Sequence, residues 1–207
     1  MGVEESLRYD PRGLVPAVVQ HALTGEVLML GFMNAEAVAK TLETGLVHFF
    51  SRSRNELWQK GETSGNRLAL RGMVADCDGD ALLVLAVPQG PTCHTGEASC
   101  FHRPVYGQGW VPVPAFLGLL RMIRARQEQA PEGSYTARLL ASPDEALKKL
   151  VEEAGEVVLA ARGQGPERLV QELADLLYHL AVVLVAEGVP VEAVNRELEA
   201  RGLGGRP

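Results

Sequence analysis

Two kinds of metal ligand are interleaved between Asp76 and His102. The protein has three cysteines, and all of them fall in this stretch, Cys77, Cys93 and Cys100, at separations of 16 and 7 residues. Thiolates are preferred zinc ligands, and three protein ligands with one position left open is the arrangement of a catalytic zinc. A structural zinc would more often show four ligands in short paired spacings, and His94 or His102 would complete such a closed site. The plainer alternative is that the cysteines are small buried hydrophobes. Asp76, Asp78 and Asp80 alternate through the same stretch. In a tight turn they would surround one hard cation, with Mg²⁺ the expectation. An EF-hand loop does not fit, because its sixth position would be Ala81 rather than glycine and its twelfth Val87 rather than glutamate. The alternative is a solvated turn, since three like charges this close repel unless exposed or paired with a cation.

A second set of carboxylates lies later in the chain, in Glu152-Glu153-x-x-Glu156 and Glu172-x-x-Asp175. At about 100° per residue, Lys149, Glu152, Glu153 and Glu156 share one arc of a helix, with Leu147, Leu150, Val151, Ala154, Val157, Val158 and Ala161 opposite. By itself this is an ordinary amphipathic helix with a solvated acidic face. The next helix is different. Leu169, Val170, Leu173, Leu176, Leu177, Leu180 and Val182 to Leu184 surround it almost completely, and a helix apolar all round is expected to be buried. Glu172 and Asp175 sit inside it one turn apart, and buried carboxylates need a partner or a cation. Facing the first acidic arc, they would form a carboxylate Mg²⁺ site between helices of a bundle.

A third segment, residues 51–66, mixes Ser51, Arg52, Ser53, Arg54, Trp58, Lys60, Thr63 and Ser64 with glycines. Hydroxyl and cationic donors beside glycine suit a phosphate or nucleotide. An ordinary solvated loop has the same composition.

The elements that must position these groups follow from the rest of the pattern. Apolar runs at 14–20 and 26–33, divided by Thr24-Gly25, predict two strands. Asn34 as N-cap and Gly45 as terminator predict a helix over 35–44. Residues 46–50, 67–75 and 81–87 predict further strands, the last two joined by the aspartate turn. Pro104, Gly107, Gly109, Pro112 and Pro114 then mark a linker. Beyond it the spacing predicts helices at 116–129, 144–162 with Ser142 as cap and Pro143 at the first position, 166–187 ended by Gly188, and 190–201. The expected fold is therefore two domains. An N-terminal α+β domain, mostly β, spans 1–106, a linker 107–114, and a C-terminal all-α helical bundle 115–207.

The 207 residues have 46% hydrophobic content and a net charge of −6. That balance gives no long-range attraction to nucleic acid or an anionic membrane, so phosphates must be held by local cations. No signal peptide is visible at the start. The apolar run 176–186 is short for a bilayer and contains His179. An odd number of cysteines argues against a disulfide framework. A reduced, cytoplasmic protein with no nucleic-acid or membrane partner is expected.

Residues 10–103 closely resemble phosphoribosyl-AMP cyclohydrolase. The resemblance rests on Gly25-Glu26-Val27-Leu28-Met29-Leu30, Met33-Asn34, Ser51-Arg52-Ser53-Arg54, Leu57-Trp58, Lys60-Gly61-Glu62-Thr63-Ser64-Gly65, Asp76-Cys77-Asp78, Cys93-His94-Thr95-Gly96 and Ser99-Cys100-Phe101. It implies a histidine-biosynthesis enzyme that opens the adenine ring of phosphoribosyl-AMP with water. By the same resemblance, zinc is held by Cys77, Cys93 and Cys100 and shared across a homodimer, and Mg²⁺ by Asp76, Asp78 and Asp80. His21 departs from the pattern, which would place an acidic residue there. Three thiolates leave zinc less electrophilic than three histidines would, so a nearby base should assist, with His94 the first candidate and His48 and His102 behind it. A structural role for His94 is the alternative. Residues 113–203, with Ser134-Tyr135-Thr136, Lys148-Lys149 and the Glu-Glu-x-x-Glu…Glu-x-x-Asp pattern, resemble phosphoribosyl-ATP pyrophosphohydrolase, among the all-α nucleotide pyrophosphohydrolases related to MazG. That resemblance implies Mg²⁺ on Glu153, Glu156, Glu172 and Asp175, with Glu152 ligating or orienting water and Lys149 meeting a phosphate. Two alternatives remain: a general nucleotide pyrophosphohydrolase in the C-terminal half, or a non-catalytic zinc module fused to a helical dimerisation bundle.

Overall fold

Alternating small and branched apolar residues set up the first sheet. In the computed structural model, which describes residues 7–106 and 114–203, β1 (Val15–His21) buries every second side chain, including Val15, Ala17 and Val19. β2 (Val27–Met33) folds back on it antiparallel through the Thr24-Gly25 turn. Asn34 caps α1 (Ala35–Thr44), its Oδ1 accepting from the Ala37 amide at 2.8 Å, and Gly45 ends the helix in the left-handed region at φ 69°. β3 (His48–Ser51) and β4 (Glu56–Gln59) pair antiparallel as a separate ribbon. β5 (Leu68–Ala75) and β6 (Leu82–Pro88) are antiparallel to each other, and β6 lies parallel to β1, giving the order β2-β1-β6-β5. The inward residues of β1, β2, β3 and β6 meet Ala37 and Val38 of α1 in one core. Thr41 joins α1 to β3, donating to the Ala37 carbonyl at 2.7 Å and accepting from the His48 amide at 2.9 Å.

The second unit is built of α2 (Ala115–Gln129), α3 (Tyr135–Leu140), α4 (Pro143–Ala161), α5 (Pro166–Ala186) and α6 (Val191–Leu198), followed by a π-type turn, Glu199–Leu203. Pro143 and Pro166 open α4 and α5 at positions where no amide hydrogen is needed. Only Arg162-Gly163-Gln164-Gly165 joins these two helices, so they pack as a hairpin, with α2 and α3 also against α5. Leu120, Ile123, Leu139, Ala146, Ala181, Val182, Val185 and Val191 form the core. The chain divides into two units, Met1–Val113 and Pro114–Pro207. Most of the expected linker, 107–113, lies outside the described residues.

Several expectations need correction. Residues 51–66 are not all loop: Glu56–Gln59 is a strand, because Leu57 and Trp58 can pair across to Phe50 and Phe49. The short helix α3 lies outside the expected helices, and its one local signal is the Ser134 cap, which accepts from the Ala137 amide. Ser142 precedes α4 without a side-chain capping bond, since Pro143 supplies the helical φ without one. The last helix stops at Leu198 rather than 201. The helix expected over 166–187 is present as α5, and although the apolar run 176–186 is short for a bilayer, the whole 21-residue helix is long and apolar enough to match one by length and composition. Its Glu172 and Asp175, and its packing on α2, α3 and α4, instead make it the central element of this unit. Finally, α5 is not buried all round. Val170 is 66% exposed, and on α4 Val151 is 73% and Val158 60% exposed, so the packing of α2 and α3 leaves part of the hairpin uncovered among the described residues.

Candidate active sites

Serine and backbone bonds fix the second half of the thiol site. Ser99 Oγ donates to the Val27 carbonyl at 2.8 Å and the Cys100 amide donates to the Leu28 carbonyl at 2.8 Å, clamping the 93–100 loop along β2. Cys93 is buried, and the Thr95 hydroxyl donates to its sulfur at 3.1 Å. That bond is the main reason the Cys93 thiol titrates below its ordinary value. Cys100 has exposed atoms, yet desolvation of its sulfur, followed by Cys93 beside it, pushes its thiol up. Cys77 is exposed on the aspartate turn. Among the described residues the three cysteines do not come together as a three-ligand cluster within one chain.

Asp76, Asp78 and Asp80 do converge, with one carboxylate oxygen from each within 4.8 Å of the others. The Ala81 amide, donating to Asp76 Oδ1 at 3.1 Å, holds Asp76 below the usual carboxylate range. Asp80 is pushed up by Asp78 and Asp76. Arg8 pairs with Asp78 at 2.8 Å, on an exposed surface. A cation would relieve this repulsion.

The three candidate histidines differ. His94 is exposed, its Nδ1 3.9 Å from the Cys93 sulfur. His48 is buried and its Nδ1 is bonded to the Leu46 carbonyl at 2.8 Å. His102 Nδ1 bonds the Ser99 carbonyl at 3.0 Å, within the loop clamp.

A groove of about 550 Å³ opens between β2 and the β3–β4 ribbon, lined in part by Ser51, Arg52, Ser53 and Trp58. Arg52 lies over the Phe32 ring at 3.8 Å, and Trp58 packs on Phe49 at 5.3 Å. Gly31 also lines the groove, and a Cβ there would collide with the Phe49 ring. Arg12, also in its wall, went unread, since nothing in its local sequence ties it to residues 51–58. Arg54 pairs with Glu56 at 3.1 Å instead, and Lys60, Thr63 and Ser64 do not line the groove. Lys60 lies near enough to Cys100 to favour its thiolate. Its neighbour Gly61, at φ 81°, has no room for a side chain, since a Cβ there would collide with the Asn66 carbonyl.

In the helical unit, the α4–α5 hairpin brings oxygens of Glu153, Glu172 and Asp175 within 4.8 Å of one another. Glu172 is 2% exposed. Its Oε1 is paired with the Arg168 guanidinium one turn earlier, but accepts no well-directed hydrogen bond. An under-satisfied buried carboxylate beside two others fits a divalent cation. Glu156 is exposed on α4 and outside this trio. Glu152 pairs with Lys149 at 2.6 Å, which lowers the first and raises the second. His179, unread as a site residue, lies buried beside the trio, its Nε2 3.7 Å from Glu153 Oε1. Burial is the largest influence on its imidazole and pushes its pKa down, against the pull of Glu153. Its signal was the i, i+3, i+7 stripe Glu172, Asp175, His179.

Both units match known enzyme families. Residues 29–102 match the phosphoribosyl-AMP cyclohydrolase family and residues 118–202 the phosphoribosyl-ATP pyrophosphohydrolase family. The chain is thus a two-domain hydrolase. It is 48% identical over 198 residues to the histidine biosynthesis bifunctional protein HisIE of Thermus thermophilus, covering 95% of this chain and 92% of that one. It is 47% identical over 199 residues to the HisIE protein of Bacillus subtilis, covering 95% of each. The HisIE protein of Escherichia coli K12 is 48% identical over 191 residues, covering 91% of each. The chain belongs to the HisIE family of bifunctional histidine-biosynthesis enzymes, with cyclohydrolase and pyrophosphohydrolase activities.

Proposed function

We propose that residues 115–207, an all-α domain of the MazG-like type, cleave phosphoribosyl-ATP to phosphoribosyl-AMP and pyrophosphate. Residues 1–106 then hydrolyse the N1–C6 bond of its adenine ring, across a linker at 107–114. Glu153, Glu172 and Asp175 would hold Mg²⁺, and Glu156, exposed about one turn further along α4 and outside this trio, would be the fourth ligand that the resemblance implies. When bound, that ion supplies charge to the phosphate oxygens undergoing cleavage. Lys149 meets a phosphate once Glu152 releases it to orient water.

In the strand unit, Cys77 of one chain and Cys93 with Cys100 of another would hold zinc, making the working form a cytoplasmic homodimer. When bound, zinc lowers the pKa of water to about 7. His94, exposed beside Cys93, takes the proton. Asp76, Asp78 and Asp80 would hold a second Mg²⁺. Ser51, Arg52, Ser53 and Trp58 receive the nucleotide in the groove, Arg52 and Ser51 donating to phosphate and Trp58 giving an apolar wall. Arg54, in the β3–β4 turn, and Thr63 and Ser64, beyond β4, are exposed on the same segment, with Lys60 half-buried between them, and would give further donors to the nucleotide.

The observation that supports the two-step reading best is the presence of two separate ligand sets in two separate units, thiols beside an aspartate cluster in one and helix-borne carboxylates in the other. Supplying phosphoribosyl-ATP should release pyrophosphate first and then the ring-opened product, with phosphoribosyl-AMP between them. Equal turnover of plain ATP would instead make the helical unit a general nucleotide pyrophosphohydrolase.

A further inference from the structure

We infer that His179 is a positioning residue of the helical unit, orienting the Glu153 carboxylate toward the cation. The inference rests on the proposed metal site. Two other buried histidines of the chain have Nδ1 engaged by backbone: His48 Nδ1 with the Leu46 carbonyl at 2.8 Å, and His21 Nδ1 with the Leu23 amide at 3.1 Å. His179 is only 5% exposed, yet its Nδ1 has no hydrogen-bond partner among the described residues. A buried imidazole without such a partner is a poor choice for packing alone, since a leucine or phenylalanine there would leave no polar group unsatisfied.

Of the charged groups that act on its ring, Glu153, Lys149, Asp175 and Glu152, the one paired with a ring nitrogen is Glu153. The ring is fixed edge-on against Tyr178 at 5.1 Å and 84° and against Tyr135 at 6.2 Å and 89°, so its plane is set by packing. Nε2 then lies 3.7 Å from Glu153 Oε1, slightly beyond a hydrogen bond. Such bonds are often long in unliganded sites and shorten when the site is loaded. His179 is not one of the converging atoms, which belong to Glu153, Glu172 and Asp175. Its place is behind them, one turn beyond Asp175 on the same stripe of α5. From there an Nε2–H donor fixes one oxygen of Glu153 and leaves the other free to ligate, the role that outer partners play for metal-binding carboxylates.

The test is Mn²⁺ binding, followed by electron paramagnetic resonance on the full chain. Asp76→Asn and Asp78→Asn silence the other acidic cluster. In that background Glu172→Gln should abolish the site. His179→Phe keeps a ring between the tyrosines and should weaken Mn²⁺ by about 10-fold. His179→Gln, whose amide nitrogen reaches as far as Nε2, should restore most of the affinity. His179→Asn, which reaches only as far as Nδ1, should behave like phenylalanine and serves if the Phe variant does not fold. Unchanged Mn²⁺ binding in folded His179→Phe or His179→Asn would overturn the inference and leave the metal site standing. Unchanged binding in Glu172→Gln would overturn the metal site itself. Directly coordinated nitrogen in the Mn²⁺ spectrum of the parent would make His179 a ligand and overturn the positioning role.

Discussion

Glu153, Glu172 and Asp175 meet within 4.8 Å inside one chain, on two helices joined by four residues. Cys77, Cys93 and Cys100 belong to one motif in the sequence, yet in one chain they form no three-ligand cluster. The contrast follows from how each set is placed. A helix hairpin converts i, i+3 spacing directly into adjacency, because its register is fixed by packing and by a short connection. The cysteines lie on two loops tied to different partners, one to the turn between β5 and β6, the other to β2 through Ser99 and Cys100. The proposed shared zinc site makes these loops meet across two copies of the chain.

The most severe break in this comparison comes from ligand removal, and it should separate the two activities. Glu172→Gln is nearly isosteric and should lower pyrophosphate release by at least about 100-fold, the scale of losing a metal's charge stabilisation. Ring opening of supplied phosphoribosyl-AMP should stay near the parent level. Cys93→Ala should do the reverse, losing zinc by elemental analysis and letting phosphoribosyl-AMP accumulate. Loss of both activities in either variant, with helical content intact by circular dichroism, would mean the two units are not independent catalysts.

How much of this was legible in the sequence depended on the range over which each feature is determined. The Asn34 cap, the Gly45 stop and the Pro143 and Pro166 starts are local, and the structure has those helix boundaries within a residue or two. The Asp76, Asp78 and Asp80 turn and the Glu172/Asp175 pair were legible because alternation and helical period alone bring them together. The groove was only half legible: Arg12 and Gly31 join Arg52 and Trp58 through the sheet, and no local pattern records that. The apolar surround of α5 misled, because hydrophobicity marks a face that must be covered without saying by which chain. Its exposed Val170, with Val151 and Val158 on α4, marks such an uncovered face.

A smaller effect is expected at Thr41, whose hydroxyl links α1 to β3 and so sets His48 and the groove behind it. Thr41→Val keeps the shape but leaves the buried His48 amide without its acceptor. It should cost about 1–3 kcal/mol, read as a lower denaturant midpoint at unchanged slope. An unchanged midpoint would show that another group accepts that amide. The smallest expected effect is at Thr95. Its hydroxyl stabilises the Cys93 thiolate, so Thr95→Val should move the thiolate titration of metal-free protein to higher pH, followed by ultraviolet absorbance. Below that new midpoint a larger fraction of Cys93 is protonated, and zinc should be lost at a higher pH than in the parent. A titration that stays in place would remove Thr95 from the thiol site.

The difference in completeness between the two sites is tested most directly by subunit mixing. Cys77→Ala and Cys93→Ala should each be inactive in ring opening when alone. If the zinc ligands come from two chains, a mixed dimer retains one intact set, so combining the two variants and verifying subunit exchange should restore part of the cyclohydrolase activity and its zinc. No recovery in verified mixed dimers would contradict a zinc site shared between two chains.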